Sequence, residues 1–429
     1  MPLKILKFES AGARLVLIAV AVLFVAAGWL FAKWNFANLI ASRIDIELPE
    51  SRQVVDWLIK IAPDDPQPHF AAARLYESTF DPDDLTRSLH EYESAVALAP
   101  NNFLIWLDLG KSRDRNGDAA GAEAAFRRAL ELAPNYSSVQ WALGNSLLRH
   151  GNSAEGFAFI SKAAESDRQY SNPAASLAWQ LFNGDIGQVR RVLGDSAVTN
   201  AALANLLAEQ TRFADAFEAW STLSADDKKS KFKELGEKLA GQFAVAKKFQ
   251  LVAKVERDIR PDEFAMPVIG QISNGGFENG VKLRNAGNFE WQIADGAAPQ
   301  IKLSDGQKHS GKYGLLMVFD TFDPAAFRSI SQTVLVVPGA AYEFEVFYRS
   351  DVKTNASFKW EVADAGTGAA VALTEPLVPT GEWASAKTRF NVPASSDAVI
   401  IRFVRTGCGS VACPVNGKFF FDDLAIRRL

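Results

Sequence analysis

Cysteine and histidine are scarce in this chain, with two of the first and four of the second in 429 residues. The last histidine is His309, so Cys408 and Cys413 have no imidazole near them and lack the further ligands of a zinc site. Flanked by Gly407 and Gly409, the two cysteines read as a disulfide closing one loop if the compartment is oxidising, or as free thiols if it is not. A strong charge of one sign is also missing. The formal net charge is −4 and there is no basic run, which excludes nucleic acid as an expected partner and argues against polyanions generally. No set of acid, base and nucleophile gathers in the sequence. His69, His90 and His150 fall in separate segments and read as surface or packing residues.

Long apolar runs are absent too, with one exception. Residues 15–32 carry no charge, and about 20 apolar residues suffice for a helix to cross the hydrocarbon core. Lys4, Lys7 and Arg14 precede the run, while Asp45, Glu47, Glu50 and Asp56 follow it. The positive-inside bias then predicts a cytoplasmic N-terminus at 1–14, a membrane anchor at 15–34 and export of the rest. Trp29 and Trp34 suit the outer interface. A cleaved signal peptide is the alternative, although the run exceeds a usual apolar signal core and lacks a small-residue cleavage site. The expected location is a bacterial inner membrane, crossed once, with the bulk of the chain periplasmic.

Residues 48–258 have helical periodicity and an internal repeat. Ala99-Pro100-Asn101 returns as Ala133-Pro134-Asn135, a spacing of 34. Within that unit Trp106, Leu109, Gly110, Ala122, Phe126, Ala129 and Pro134 occupy marker positions, with Arg113 where an aromatic is usual. This pattern resembles the tetratricopeptide repeat, whose period is about 34 residues. Small residues let two antiparallel helices approach, and the aromatics fill the space between them. Weaker copies lie on either side, at Phe70, Tyr92, Ala95 and Pro100, and at Leu143, Gly144, Leu147, Ile160 and Ala163. Stacked pairs form a solenoid with a groove for a protein partner. The last helical segment, near residues 231–257, has the amphipathic character of a cap.

Arg260, Pro261 and Pro267 mark a linker at 259–267, after which the period changes to alternation punctuated by Gly and Pro. Strands are expected at 314–319, 330–336, 341–349, 356–362, 387–392, 398–404 and 418–426. That makes 268–429 an all-β sandwich or jelly roll. Five segments occur in order: Asn274-Gly275-Gly276-Phe277-Glu278, His309-Ser310-Gly311-Lys312-Tyr313, Ser331-Gln332-Thr333-Val334, Gly381-Glu382-Trp383 and Phe421-Asp422-Asp423-Leu424. Together they resemble the carbohydrate-binding modules of the galactose-binding-like, family 4/9 type.

The resemblance implies a structural calcium between the first and last strands, with Glu278 and Asp422 as side-chain ligands. The alternative is that both carboxylates cap backbone amides. Strand alternation puts Phe420, Asp422, Leu424 and Ile426 on one face, expected to be buried. The resemblance also implies sugar binding through aromatic rings and polar side chains. The candidates are Trp291, Phe347, Tyr348, Trp360 and Phe403, with Arg349 and Arg402 as donors, and core packing is the competing role for each aromatic. Glu343, Glu345, Phe347 and Arg349 share the more polar face of their strand, whereas Trp383 is expected in the core. The whole reads as a multidomain protein: a transmembrane helix, an all-α tetratricopeptide solenoid and an all-β jelly-roll sandwich. Its expected role is that of a non-enzymatic membrane scaffold which docks a protein and contacts a polysaccharide. The rival is a protein-only adaptor; a glycoside hydrolase is disfavoured because no catalytic domain accompanies the module.

Overall fold

The computed structural model describes residues 11–45, 50–79, 81–323, 326–407 and 413–429. By its internal contacts the chain divides into two compact units, Met1–Leu206 and Leu207–Leu429.

The first unit is helical. Its helices are α1 (Ala11–Ala41), α2 (Ser51–Ile61), α3 (Pro66–Ser78), α4 (Pro82–Leu98), α5 (Phe103–Arg115), α6 (Ala119–Leu132), α7 (Ser137–Arg149), α8 (Ser153–Ser166), α9 (Ser171–Leu181) and α10 (Ile186–Leu193). A further helix, α11 (Ala197–Glu209), runs across the division. Among the described residues α1 alone is long and apolar enough to cross a membrane. Its final turns do something else. Ala37 and Ala41 are buried against Val55 and Leu58 of α2 and Ala71, Ala72 and Leu75 of α3. The apolar helix therefore continues without a break into the packing of the first helix pair.

Helix ends follow local chemistry. Asp65 and Asp81 cap α3 and α4 just before Pro66 and Pro82, and Asn102 and Asp118 cap α5 and α6. The expected small-residue contact is present: a Cβ added to Gly110 would lie 2.6 Å from the Phe126 ring. Gly144, 34 residues on, would meet Ile160 in the same way. Arg113 does the work of the missing aromatic by polar means, bonding Glu93 at 2.8 Å and the Gly121 carbonyl at 3.2 Å.

In the second unit, α12 (Phe213–Ser221), α13 (Ala225–Lys229), α14 (Lys233–Val245) and α15 (Phe249–Ile259) precede a sandwich with eleven strands among the described residues. These are β1 (Gln292–Ile293), β2 (Gln300–Ser304), β3 (Gly314–Thr321), β4 (Ile330–Leu335), β5 (Ala341–Ser350), β6 (Lys353–Thr354), β7 (Ser357–Asp364), β8 (Ala370–Leu373), β9 (Thr380–Asn391), β10 (Ala398–Thr406) and β11 (Val415–Arg428). One sheet has the order β1-β4-β10-β7-β8, the other β2-β3-β11-β5-β9 with β6 beside β11. The core between them is rich in aromatic rings, including Phe277, Trp291, Phe344, Trp360, Phe403 and Phe421. Helix α15 is tied to the sandwich, since the Asp397 carboxylate accepts from the Phe249 and Gln250 amides at 3.2 and 2.9 Å.

Strand β11 corrects the expected alternation. Phe419 and Phe421 point into the core, and Phe420 lies on the outer face. A register shift between Asp422 and Ala425, with Asp423 at φ +50°, then returns Leu424 and Ile426 to the inside. One extra residue in a strand reverses which side chains face inward.

Candidate functional site

The outer face of the six-stranded sheet collects one set of sequence candidates. On β5, Phe347 and Arg349 both face outward and are partly exposed. Cα pairing places Phe347 beside Asp422 and Ser385, and Arg349 beside Phe420. The His309 ring stacks on Phe347 with centroids 3.9 Å apart, and Trp383 approaches His309 edge-on at 5.6 Å. Arg349 donates from Nη1 to Gln307 Oε1 at 2.9 Å. Aromatic surface and a fixed guanidinium thus stand side by side, the combination that holds a pyranose by its apolar face and its polar rim.

Carboxylates hold this surface in place. Asp422 is 0% exposed although it lies on the outer side of its strand, because residues 309–310 cover it. Its oxygens accept from the amides of His309 at 2.8 Å, Ser310 at 3.0 Å and Asp423 at 2.8 Å. Burial pushes the Asp422 carboxyl above its ordinary range, against the pull of these amides. Asp423 holds the His309 ring at 2.6 Å and the Ser310 hydroxyl at 2.8 Å. Glu278 accepts from the Lys312 amide at 2.8 and 3.0 Å and from that of Tyr313 at 3.3 Å. Gly311 sits between them at φ +61°, where a Cβ would fall 2.0 Å from Glu278 Oε1.

This donor pattern bears on the implied calcium. Both oxygens of Glu278 and both of Asp422 already accept backbone N–H groups. Among the described residues no group of three His, Cys, Asp or Glu side chains is arranged to hold a metal. Each of the two carboxylates thus caps backbone amides of the 309–313 segment or of its own strand.

Several candidates fall elsewhere. Trp291 and Trp360 are core residues, 2% and 0% exposed, and Phe403 and Tyr348 are buried with them. Trp291 Nε1 donates to the Asn274 carbonyl at 3.0 Å, fixing the ring inside the sandwich. Arg402 belongs to the other sheet, where its Nε bonds Glu361 at 2.7 Å, so it does not join Phe347 and Arg349. Trp383, expected in the core, is partly exposed beside His309. His309, Gln307 and Phe420 were not among the candidates. The alternation of β5 puts Phe347 and Arg349 on its outward face, as found, but the loop that carries Gln307 and His309 has no period to reveal its position. Cys413 is buried and disulfide-bonded, and Cys408, its predicted partner, lies outside the described residues.

Comparison with known families agrees with both halves of this description. The tetratricopeptide repeat model matches residues 80–137 and 107–171, and a family 4/9 carbohydrate binding domain model matches residues 270–407. The chain carries tetratricopeptide repeats followed by a carbohydrate-binding domain, kinds of domain that bind proteins and carbohydrates and are not themselves catalytic. No curated protein matches. Among solved structures, TmCBM61 in complex with beta-1,4-galactotriose is 18% identical, covering 37% of this chain and 97% of that one, with a TM-score of 0.28. MamA is 13% identical over 37% of this chain and 90% of that one, with a TM-score of 0.32. YrrB, described as a repeat protein with an unusual peptide-binding site, is 16% identical over 39% and 88%, with a TM-score of 0.31.

Proposed function

We propose that this protein is a non-enzymatic scaffold, held in a bacterial inner membrane by α1, that docks a protein through its repeats and a polysaccharide through its sandwich. The bulk of the chain lies in the periplasm, and exopolysaccharide, O-antigen or cell-envelope glycan assembly is the setting that this pairing of domains suggests. The observation that carries the reading is the outer face of the six-stranded sheet. There, Phe347, His309, Trp383 and Arg349 stand together on a loop and strands braced by carboxylates, Asp422 among them fully buried.

The test is glycan-array binding by the purified chain, with Trp383→Ala and Trp360→Ala compared. Trp383→Ala is expected to weaken binding by about two- to tenfold while leaving the melting temperature nearly unchanged, because stacking on one ring contributes roughly 0.5–1.5 kcal/mol beyond area burial. Trp360→Ala is expected to destabilise the sandwich by about 3–5 kcal/mol. Runs with calcium and with EDTA should agree if Glu278 and Asp422 act as caps. A calcium-dependent rise in melting temperature would restore the metal. Absence of binding to every glycan by a folded protein would favour the protein-only adaptor.

A further inference from the structure

Next to the aromatic surface the same sheet face forms a cleft of about 680 Å³, lined by Gln307, Arg349, Asp351, Lys353, Lys418 and Phe420 among others. That size falls in the range of ligand clefts, about 300–1,000 Å³. Three cations and one carboxylate face it. The carboxylate is already engaged, since Asp351 Oδ1 accepts from the Lys418 amide at 2.6 Å. Two more acids on this face, Glu345 and Glu343, have cations of their own. Glu345 is paired with Lys387 and Arg427, each at 2.9 Å, and Glu343 with Arg389 at 3.0 Å. Among the described residues Arg349, Lys353 and Lys418 take part in no ion pair. Arg349 is nonetheless oriented, because its bond to Gln307 uses Nη1 and sets the direction of the guanidinium fork. An uncommitted, oriented guanidinium beside two ammonium groups is complementary to a carboxylate. Phe420, paired with Arg349 across β11 and β5, offers an apolar ring beside them.

We propose that this cleft takes a carboxylate-bearing polysaccharide, with Arg349 engaging a uronate carboxylate, Lys353 and Lys418 supplying the surrounding field, and Phe420 meeting a sugar face. The proposal rests on the glycan-binding reading and narrows it to an acidic substrate class. It also revises the expectation against polyanions, which considered only net charge and contiguous runs. The cations here come from β5, β6 and β11, and adjacency in space replaces adjacency in sequence.

The experiment is calorimetric titration of the full chain in detergent with polygalacturonate oligosaccharides and with the same oligosaccharides after carboxyl reduction. The acidic form is expected to bind at least about tenfold tighter, as hydrogen bonds to charged groups are worth more than neutral ones. That advantage should shrink as salt is raised. Arg349→Gln and Lys418→Gln should each reduce it several-fold at an unchanged melting temperature. Equal binding of both forms would overturn the acidic preference and leave glycan binding standing. Acid binding that survives both substitutions would overturn the site. Failure of both forms to bind, in a protein that also binds nothing on the array, would remove the glycan reading itself.

Discussion

His69 shows what one side chain can reveal about the first repeats. Its Nδ1 faces Glu91 at 2.5 Å and its Nε2 faces the Pro63 carbonyl at 3.0 Å. Both neighbours are acceptors, so both ring nitrogens must donate, and the ring is charged. Hydrogen bonding to Glu91 raises the imidazole above its ordinary value of 6.5, in spite of burial. Burial alone would raise Glu91, yet its bond to His69 leaves it below the usual carboxylate value. A base with a raised folded value binds more protons folded than unfolded, so its contribution is complete below about pH 6.5 and is lost as pH rises through the folded value. The melting temperature of the helical unit should therefore fall over that interval, and His69→Gln should flatten the profile. A profile that is unchanged by the substitution would show that the pair carries no linkage. Neither partner was legible as a pair, because a separation of 22 positions fits no motif.

Among elements, the helix pairs were the most legible and the last strand the least. The period of 34 marks Gly110 in the sequence, and its close approach to Phe126 follows from two helices crossing where no Cβ intervenes. Gly110→Ala should destabilise the helical unit by about 1–3 kcal/mol through overpacking, measured by chemical denaturation. A neutral result would mean that the Phe126 ring has room to move. The expected strands correspond to β3, β4, β5, β7, β9, β10 and β11, but the first residues of β9 and the short strands β1, β2, β6 and β8 escaped notice. Strands of two to five residues at sheet edges give alternation too little length to register. The bulge in β11 is the sharper case. Parity counted along the sequence placed Phe420 inside, and the shifted register places it outside, next to Arg349. Trp383 was misplaced because it lies where the pairing of β9 with β5 slips, between Thr380 and Ala384, and only its contact with His309 shows where the ring is.

The whole molecule joins an apolar helix, a repeat array and a sandwich, announced in turn by an uncharged run, a period of 34 and strand alternation. The linker expected at 259–267 is a division by composition, whereas contacts assign α12 to α15 and the sandwich to one compact unit. Asp397 is part of the reason, since it caps α15 from the strand connection of another fold type. Asp397→Ala should cost about 0.5–2 kcal/mol and speed hydrogen exchange at the Phe249 and Gln250 amides. Unchanged exchange would show that α15 holds its own end. By itself the sequence determined the segment classes and their order, because periods of 3.6, 2 and 34 residues are local properties that any unbroken stretch displays. The tertiary structure alone decided which aromatics face solvent, that the carboxylates brace a loop, and that Arg349, Lys353 and Lys418 share one cleft. Those outcomes depend on register, a single inserted residue and loop closure across more than sixty positions, and none of these leaves a mark in a neighbouring residue.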